Sequence, residues 1–140
     1  MNQILPYSLW VGHVGESGDK RRLFDAGIRA IVHLAEEEPP IATPRELIAC
    51  RFPLVDGPGN ETDVLVLAMQ TLATLLERHV PTLVCCGGGV SRAPALTAAA
   101  LALAYGETPE GWLERVVLHH PSDVTPGFWK EVTGVLTSLR

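Results

Sequence analysis

A chain of 140 residues, 46% hydrophobic and 19% charged, has the length of one domain with one core and is too apolar for a disordered segment. Its net charge of -5, with eleven Lys and Arg that gather only at Lys20-Arg21-Arg22, offers no basic surface for nucleic acid. The longest apolar run, around Ala98 to Ala104, is too short to span a bilayer, and Met1 to Pro6 lacks the features of a signal peptide, so a cytoplasmic protein with no membrane partner is expected.

Taken in chain order, the elements alternate. Tyr7 to Val11 reads as a short strand, and Asp19 to Gly27 as a helix with Gly27 as its stop. Arg29 to Ala35 is β-branched and apolar, the pattern of a buried strand. The acidic run Glu36-Glu37-Glu38 and the segment Pro39 to Pro44 read as a solvated loop, with a helical turn expected at Arg45 to Ala49. Arg51 to Val55 is a further strand, placed at an edge by Pro53. Asp56-Gly57-Pro58-Gly59-Asn60 is a turn cluster, and Val64 to His79 a long amphipathic helix for which Thr62 or Asp63 is the expected cap.

Thr82 to Cys86 is an apolar strand, Gly87 to Ser91 a loop, and Arg92 to Tyr105 a helix apolar nearly all round and therefore buried. Pro109 to His119 and Pro126 to Leu139 are the last helices. Strands alternating with helices, then helices alone, predict an α/β domain over residues 1–140, with a central mainly parallel sheet flanked by helices. His119 and His120 end a helix, where a cation is favoured, so capping is their expected role. His33 is read as a plain strand residue.

Cys50, Cys85 and Cys86 form neither a disulfide framework nor a C-x-x-C metal pair, and no metal or cofactor is expected. Cys86 is the one with chemistry around it. In Cys86-Gly87-Gly88-Gly89-Val90-Ser91-Arg92, consecutive glycines leave amides unobstructed between a buried strand and a helix N-terminus. Such a nest of N–H groups binds a tetrahedral anion, and the same donors stabilise a thiolate at its head. Arg92, six residues on, brings a planar fork suited to two phosphate oxygens. Gly87, Gly88, Gly89, Val90, Ser91 and Arg92 are therefore the candidate phosphate cradle, and Cys86 the candidate nucleophile.

The segment Val84 to Pro94 resembles the signature loop of the protein tyrosine phosphatase superfamily, and within it the compact dual-specificity branch. Leu9-Trp10-Val11-Gly12, Ala26 to Leu34 and Val124-Thr125-Pro126-Gly127-Phe128-Trp129 are similar to further family segments in the same order. The resemblance implies a general acid on a mobile loop ahead of the nucleophile, and Phe52-Pro53-Leu54-Val55-Asp56 matches that place. Asp56 is thus the candidate acid, with Asp63 as its competitor and a turn as its simpler role. The implied activity is metal-free hydrolysis of phosphate monoesters, on proteins or small molecules, through a phosphocysteine.

Two positions depart from the family pattern. Cys85 stands where His normally precedes the nucleophile, and Ala93 where a Ser or Thr normally follows the arginine. The resemblance then implies a less activated thiol and slower hydrolysis of the intermediate. Three readings stay open: an active phosphatase, a weakly active or inactive module that binds phosphorylated ligands, and a rhodanese-like sulfur transferase. Substrate, oligomeric state and any redox part for Cys50 or Cys85 are left open by the residues alone.

Overall fold

The computed structural model describes all 140 residues. Five strands, β1 (Asn2–Gln3), β2 (Leu9–His13), β3 (Ala30–Ala35), β4 (Ile48–Leu54) and β5 (Thr82–Cys86), form one sheet in the order β1-β2-β5-β3-β4. Only the β1–β2 pair is antiparallel; β2, β5, β3 and β4 run parallel. Parallel neighbours need crossovers, and five helices supply or flank them: α1 (Lys20–Asp25), α2 (Thr62–Glu77), α3 (Arg92–Tyr105), α4 (Pro109–His119) and α5 (Pro126–Leu139). The α/β architecture with a mainly parallel sheet is the one expected from the alternation of elements.

The sheet carries two cores of unequal size. On one face, α2, α3 and α5 cover Val11, Val32, Leu34, Val84 and Cys86. On the other, Leu23 of α1 packs with Ile28, Ile31, Leu83 and Cys85. Successive strand residues point to opposite faces, which separates the adjacent Cys85 and Cys86 into different cores. Every residue of α3 from Arg92 to Ala102 is buried, which explains its alanine content. Small side chains let α2, α4 and α5 close around it while it lies on the sheet.

Two local expectations are corrected. Ile48 and Ala49 belong to β4 rather than to a helical turn, because Ile48 N–H donates to Arg29 O and the strand pairs with β3 in parallel register. Helix α2 begins at Thr62 with Glu61 at its cap and no side-chain cap bond, so neither Thr62 nor Asp63 caps it. The two-residue β1 and a 3-10 turn at Val14–Gly18 carry too few residues for a periodic signal and are absent from the sequence reading. Cys50 lies on β4, two strands from β5 and in register with Val32, where it packs against the core.

Candidate active site

The parallel strands present their C-terminal ends together, and the loops leaving β3, β4 and β5 meet there. This is where open α/β sheets place ligands. Cys86 closes β5, 2% exposed, and its Sγ accepts the N–H of Ala93 in the first turn of α3 at 3.4 Å. The loop from Gly87 to Ser91 curls round that sulfur. No amide of Gly87 to Ser91 donates to another backbone group. Arg92, 5% exposed, has its Nε buried without a partner. Unpaired donors cost on the order of 1–3 kcal/mol each when buried, and free amides at a helix N-terminus are an arrangement suited to an anion.

Gly89 has φ +76°, and a Cβ there would stand 2.7 Å from the C and O atoms of Gly12 on β2. Only glycine allows this turn, and the backbone of β2 is therefore the wall against which the cradle is built. Gly88, by contrast, meets nothing nearer than 3.9 Å.

Arg92 reaches its position through a partner that the sequence reading missed. Its Nη1 donates to Glu37 Oε1 at 2.6 Å and to Leu54 O at 2.7 Å, and its Nη2 to Glu37 Oε2 at 2.5 Å. The acidic run after β3 is accordingly not a plain solvated loop: Glu37 forks the guanidinium and lies over Gly87, where a Cβ would be 2.8 Å from Oε2. The hydrogen bonds from Arg92 hold the Glu37 carboxyl down at about 2, against the cost of burial. Arg92 is held above its ordinary range, first by the bond to Glu37 and further by the charges of Cys86 and Asp56, with burial opposing. Arg51 of β4 fixes the run itself, donating to Glu36 O at 3.4 Å and Glu38 O at 3.1 Å. With Nη1 and Nη2 committed to Glu37 and Leu54 O, Nε is the guanidinium nitrogen without a partner.

Asp56 stands just beyond β4 with its Oδ1 accepting the Ser91 hydroxyl at 2.6 Å, so the structure brings it against the same loop. The turn behind it is anchored: Asn60 Oδ1 accepts from Val55 N–H at 2.8 Å, and Glu131 of α5 accepts from Gly59 N–H at 2.5 Å and Asn60 N–H at 3.0 Å. Asp63 lies in the first turn of α2, outside this set of contacts.

His120 caps α4 as expected, its N–H donating to Val116 O at 2.9 Å, and its side chain has a further role. The His119 side chain also bonds this helix end, Nδ1 donating to Arg115 O at 2.9 Å. His120 is buried, and its Nε2 lies 2.6 Å from the carbonyl of Gly89, which can only accept. The proton is thus on Nε2, and Nδ1 accepts from Asn2 Nδ2 at 2.9 Å. Burial keeps this imidazole below its ordinary pKa despite the Gly89 bond. His120 buttresses the cradle from α4, and β1 is what supplies Asn2. On the far face, Cys85 Sγ lies 3.1 Å from His33 Nδ1, and burial pushes its thiol up to about 12. Cys85 is therefore a neutral core thiol paired with His33.

Comparison with known proteins follows the same lines. A family model described as PTP-SAK, Swiss Army Knife protein, DSP-PTPase phosphatase domain, matches residues 1–125. No curated protein matches the sequence. Among solved structures, human DUSP28 superposes with a TM-score of 0.86 at 23% identity, covering 99% of this chain and 97% of that one. Human tyrosine phosphatase-like serine/threonine/tyrosine-interacting protein gives 0.82 at 18% identity, over 99% and 96%. PTPMT1 gives 0.80 at 18%, over 99% and 94%. The loop, the parallel sheet that carries it and the family match agree: the chain belongs to the PTP-SAK phosphatase domains, in the dual-specificity branch of the protein tyrosine phosphatase superfamily.

Proposed function

We propose that this domain is a cysteine-dependent phosphatase acting on phosphate monoesters. The observation that carries the reading is the set of unpaired donors, loop amides and Arg92 Nε, gathered around the Cys86 sulfur with Asp56 docked on the same loop. Phosphate fits there as an anion whose oxygens take those donors, leaving phosphorus in line with sulfur.

In the first step the Cys86 thiolate pair forms the S–P bond while the P–O bond breaks. The leaving oxygen takes the electron pair of that bond together with the proton of Asp56. Arg92 and the loop amides hold the equatorial oxygens throughout. In the second step a water oxygen attacks phosphorus, Asp56 carboxylate takes its proton, and the S–P bond returns its pair to sulfur. The products are the alcohol or phenol and inorganic phosphate, and the enzyme is restored.

Ala93 supports a slow second step. It offers Cys86 a backbone N–H but no hydroxyl to stabilise departing sulfur. Phosphocysteine is then expected to accumulate, giving a burst followed by slow turnover. Val55 and Val90 beside the cradle are exposed, and the expected substrates are phosphoseryl, phosphothreonyl and phosphotyrosyl groups or small phosphate esters.

The test is phosphate release from aryl phosphates between mildly acidic and neutral pH. Wild type is expected to turn over and Cys86→Ser to fall to background. Asp56→Ala should lose about a hundredfold or more with poor leaving groups. Equal rates for wild type and Cys86→Ser would reject the reading.

A further inference from the structure

We propose that Ser91 is the positioning residue of the general acid: its hydroxyl docks Asp56 over the cradle and selects which carboxyl oxygen carries the proton. This rests on the phosphatase reading above and gives Ser91 a side-chain role distinct from its backbone place in the loop.

Ser91 is 4% exposed, and its hydroxyl donates to Asp56 Oδ1 at 2.6 Å. The same oxygen accepts Thr125 N–H at 3.0 Å, with Thr125 Oγ1 at 3.2 Å. The amide of Thr125 can only donate, so it takes one lone pair of Ser91. The hydroxyl hydrogen is left to choose between a carboxyl oxygen at 2.6 Å and a hydroxyl at 3.2 Å, and it goes to the nearer acceptor, Asp56 Oδ1. The N-terminus of α5 thereby orients Ser91, and Ser91 orients Asp56.

An oxygen that accepts a hydrogen bond does not carry a proton along the same line. The acid proton of Asp56 therefore sits on Oδ2, which has no partner in the protein. As that proton passes to the leaving oxygen, Asp56 becomes a carboxylate and the Ser91 bond becomes charge-assisted. The contact is stronger in the transition state than in the ground state, the condition under which a contact accelerates chemistry. Asn60 and Glu131 fix the backbone of the acid turn, whereas Ser91 holds the carboxyl group itself. The buried hydroxyl beside Arg92 is thus committed to the acid on one side, while Ala93 on the other side leaves the sulfur without one.

The experiment compares wild type, Ser91→Ala, Asp56→Asn and the double variant on phenyl phosphate and p-nitrophenyl phosphate. Ser91→Ala is expected to lower kcat about tenfold on phenyl phosphate and clearly less on p-nitrophenyl phosphate, whose leaving group needs little protonation. In the Asp56→Asn background the same change should cost under about twofold, because the two residues act as one unit. Ser91→Gly, which also removes the hydroxyl, should repeat the pattern should the alanine variant fold poorly. Equal losses on both substrates, or full additivity with Asp56→Asn, would show that Ser91 only shapes the loop and overturn the proposal. Wild type no faster than Cys86→Ser would overturn the phosphatase reading and this proposal with it.

Discussion

Two loops meet at the C-terminal edge of the sheet, and they reveal themselves in opposite ways. The cradle from Gly87 to Arg92 is legible from its own residues, since glycines, a preceding apolar strand and a following helix each point to an anion nest. The acidic run after β3 has the composition of a solvated surface, yet Glu37 forks the cradle arginine through Oε1 at 2.6 Å and Oε2 at 2.5 Å. A motif that acts through its own backbone can be read in one dimension. A side chain that acts 55 residues away cannot, because its meaning lies in strand order.

The comparison can be broken most severely at Arg92. Arg92→Lys keeps the charge but loses the fork shared between Glu37 and the ligand, and turnover should fall about a thousandfold or more. Retained activity would mean that charge alone matters and that Glu37 has nothing to orient. Glu37→Gln comes next: one acceptor remains, the guanidinium swings, and kcat/KM should fall up to about a hundredfold for a misplacement of about 1 Å. If rates are unchanged, the acidic run is a surface after all.

Within the cradle, Gly89→Ala should cost about 3 kcal/mol in urea unfolding, combining a left-handed φ with a Cβ pressed into the Gly12 backbone. Gly88→Ala, with open space around it, should change stability by less than about 1 kcal/mol. Equal effects at the two glycines would contradict the wall that β2 provides.

The smallest effect is in pH dependence. The Glu37 carboxyl sits at about 2 in the folded chain against an ordinary 4.5. A carboxylate depressed by folding contributes stability that is complete above its ordinary value and fades as pH falls through the folded one. The melting temperature of wild type should therefore exceed that of Glu37→Gln by a constant margin above about pH 6, and the margin should shrink toward about pH 2. A half-exposed side chain makes this a modest difference. A margin that does not move with pH would place the Arg92 contact elsewhere.

The same distinction explains what else was legible. Strands β3 and β5, helices α3, α4 and α5, and the loop from Cys86 to Arg92 follow from runs of residues whose pattern is local, whereas Asp56 becomes a candidate only through the family resemblance. His120 read as a helix-end cation because its neighbours in sequence are those of a helix C-terminus. Its bond to Gly89 O depends on α4 ending beneath the cradle, and its tautomer on Asn2, which enters through a strand of two residues. Ser91 read as one more cradle amide, since nothing in the order of residues says that Thr125 and Asp56 approach it from either side. Cys85, in the place of the family's histidine, shows the converse. His33 lies beside it on the next strand, but on the face away from the cradle, while the loop itself is braced by His120.

The central claim is that the Cys86 sulfur, set among unpaired donors, takes the phosphoryl group. It is tested most directly by mixing wild-type protein with excess p-nitrophenyl phosphate, quenching in acid and mapping the modified peptide by mass spectrometry. A phosphoryl group on the peptide containing Cys86, abundant in wild type and absent from Cys86→Ser, is the result predicted. Phosphate release with no phosphoryl adduct on Cys86, or an adduct that survives Cys86→Ser, would contradict it.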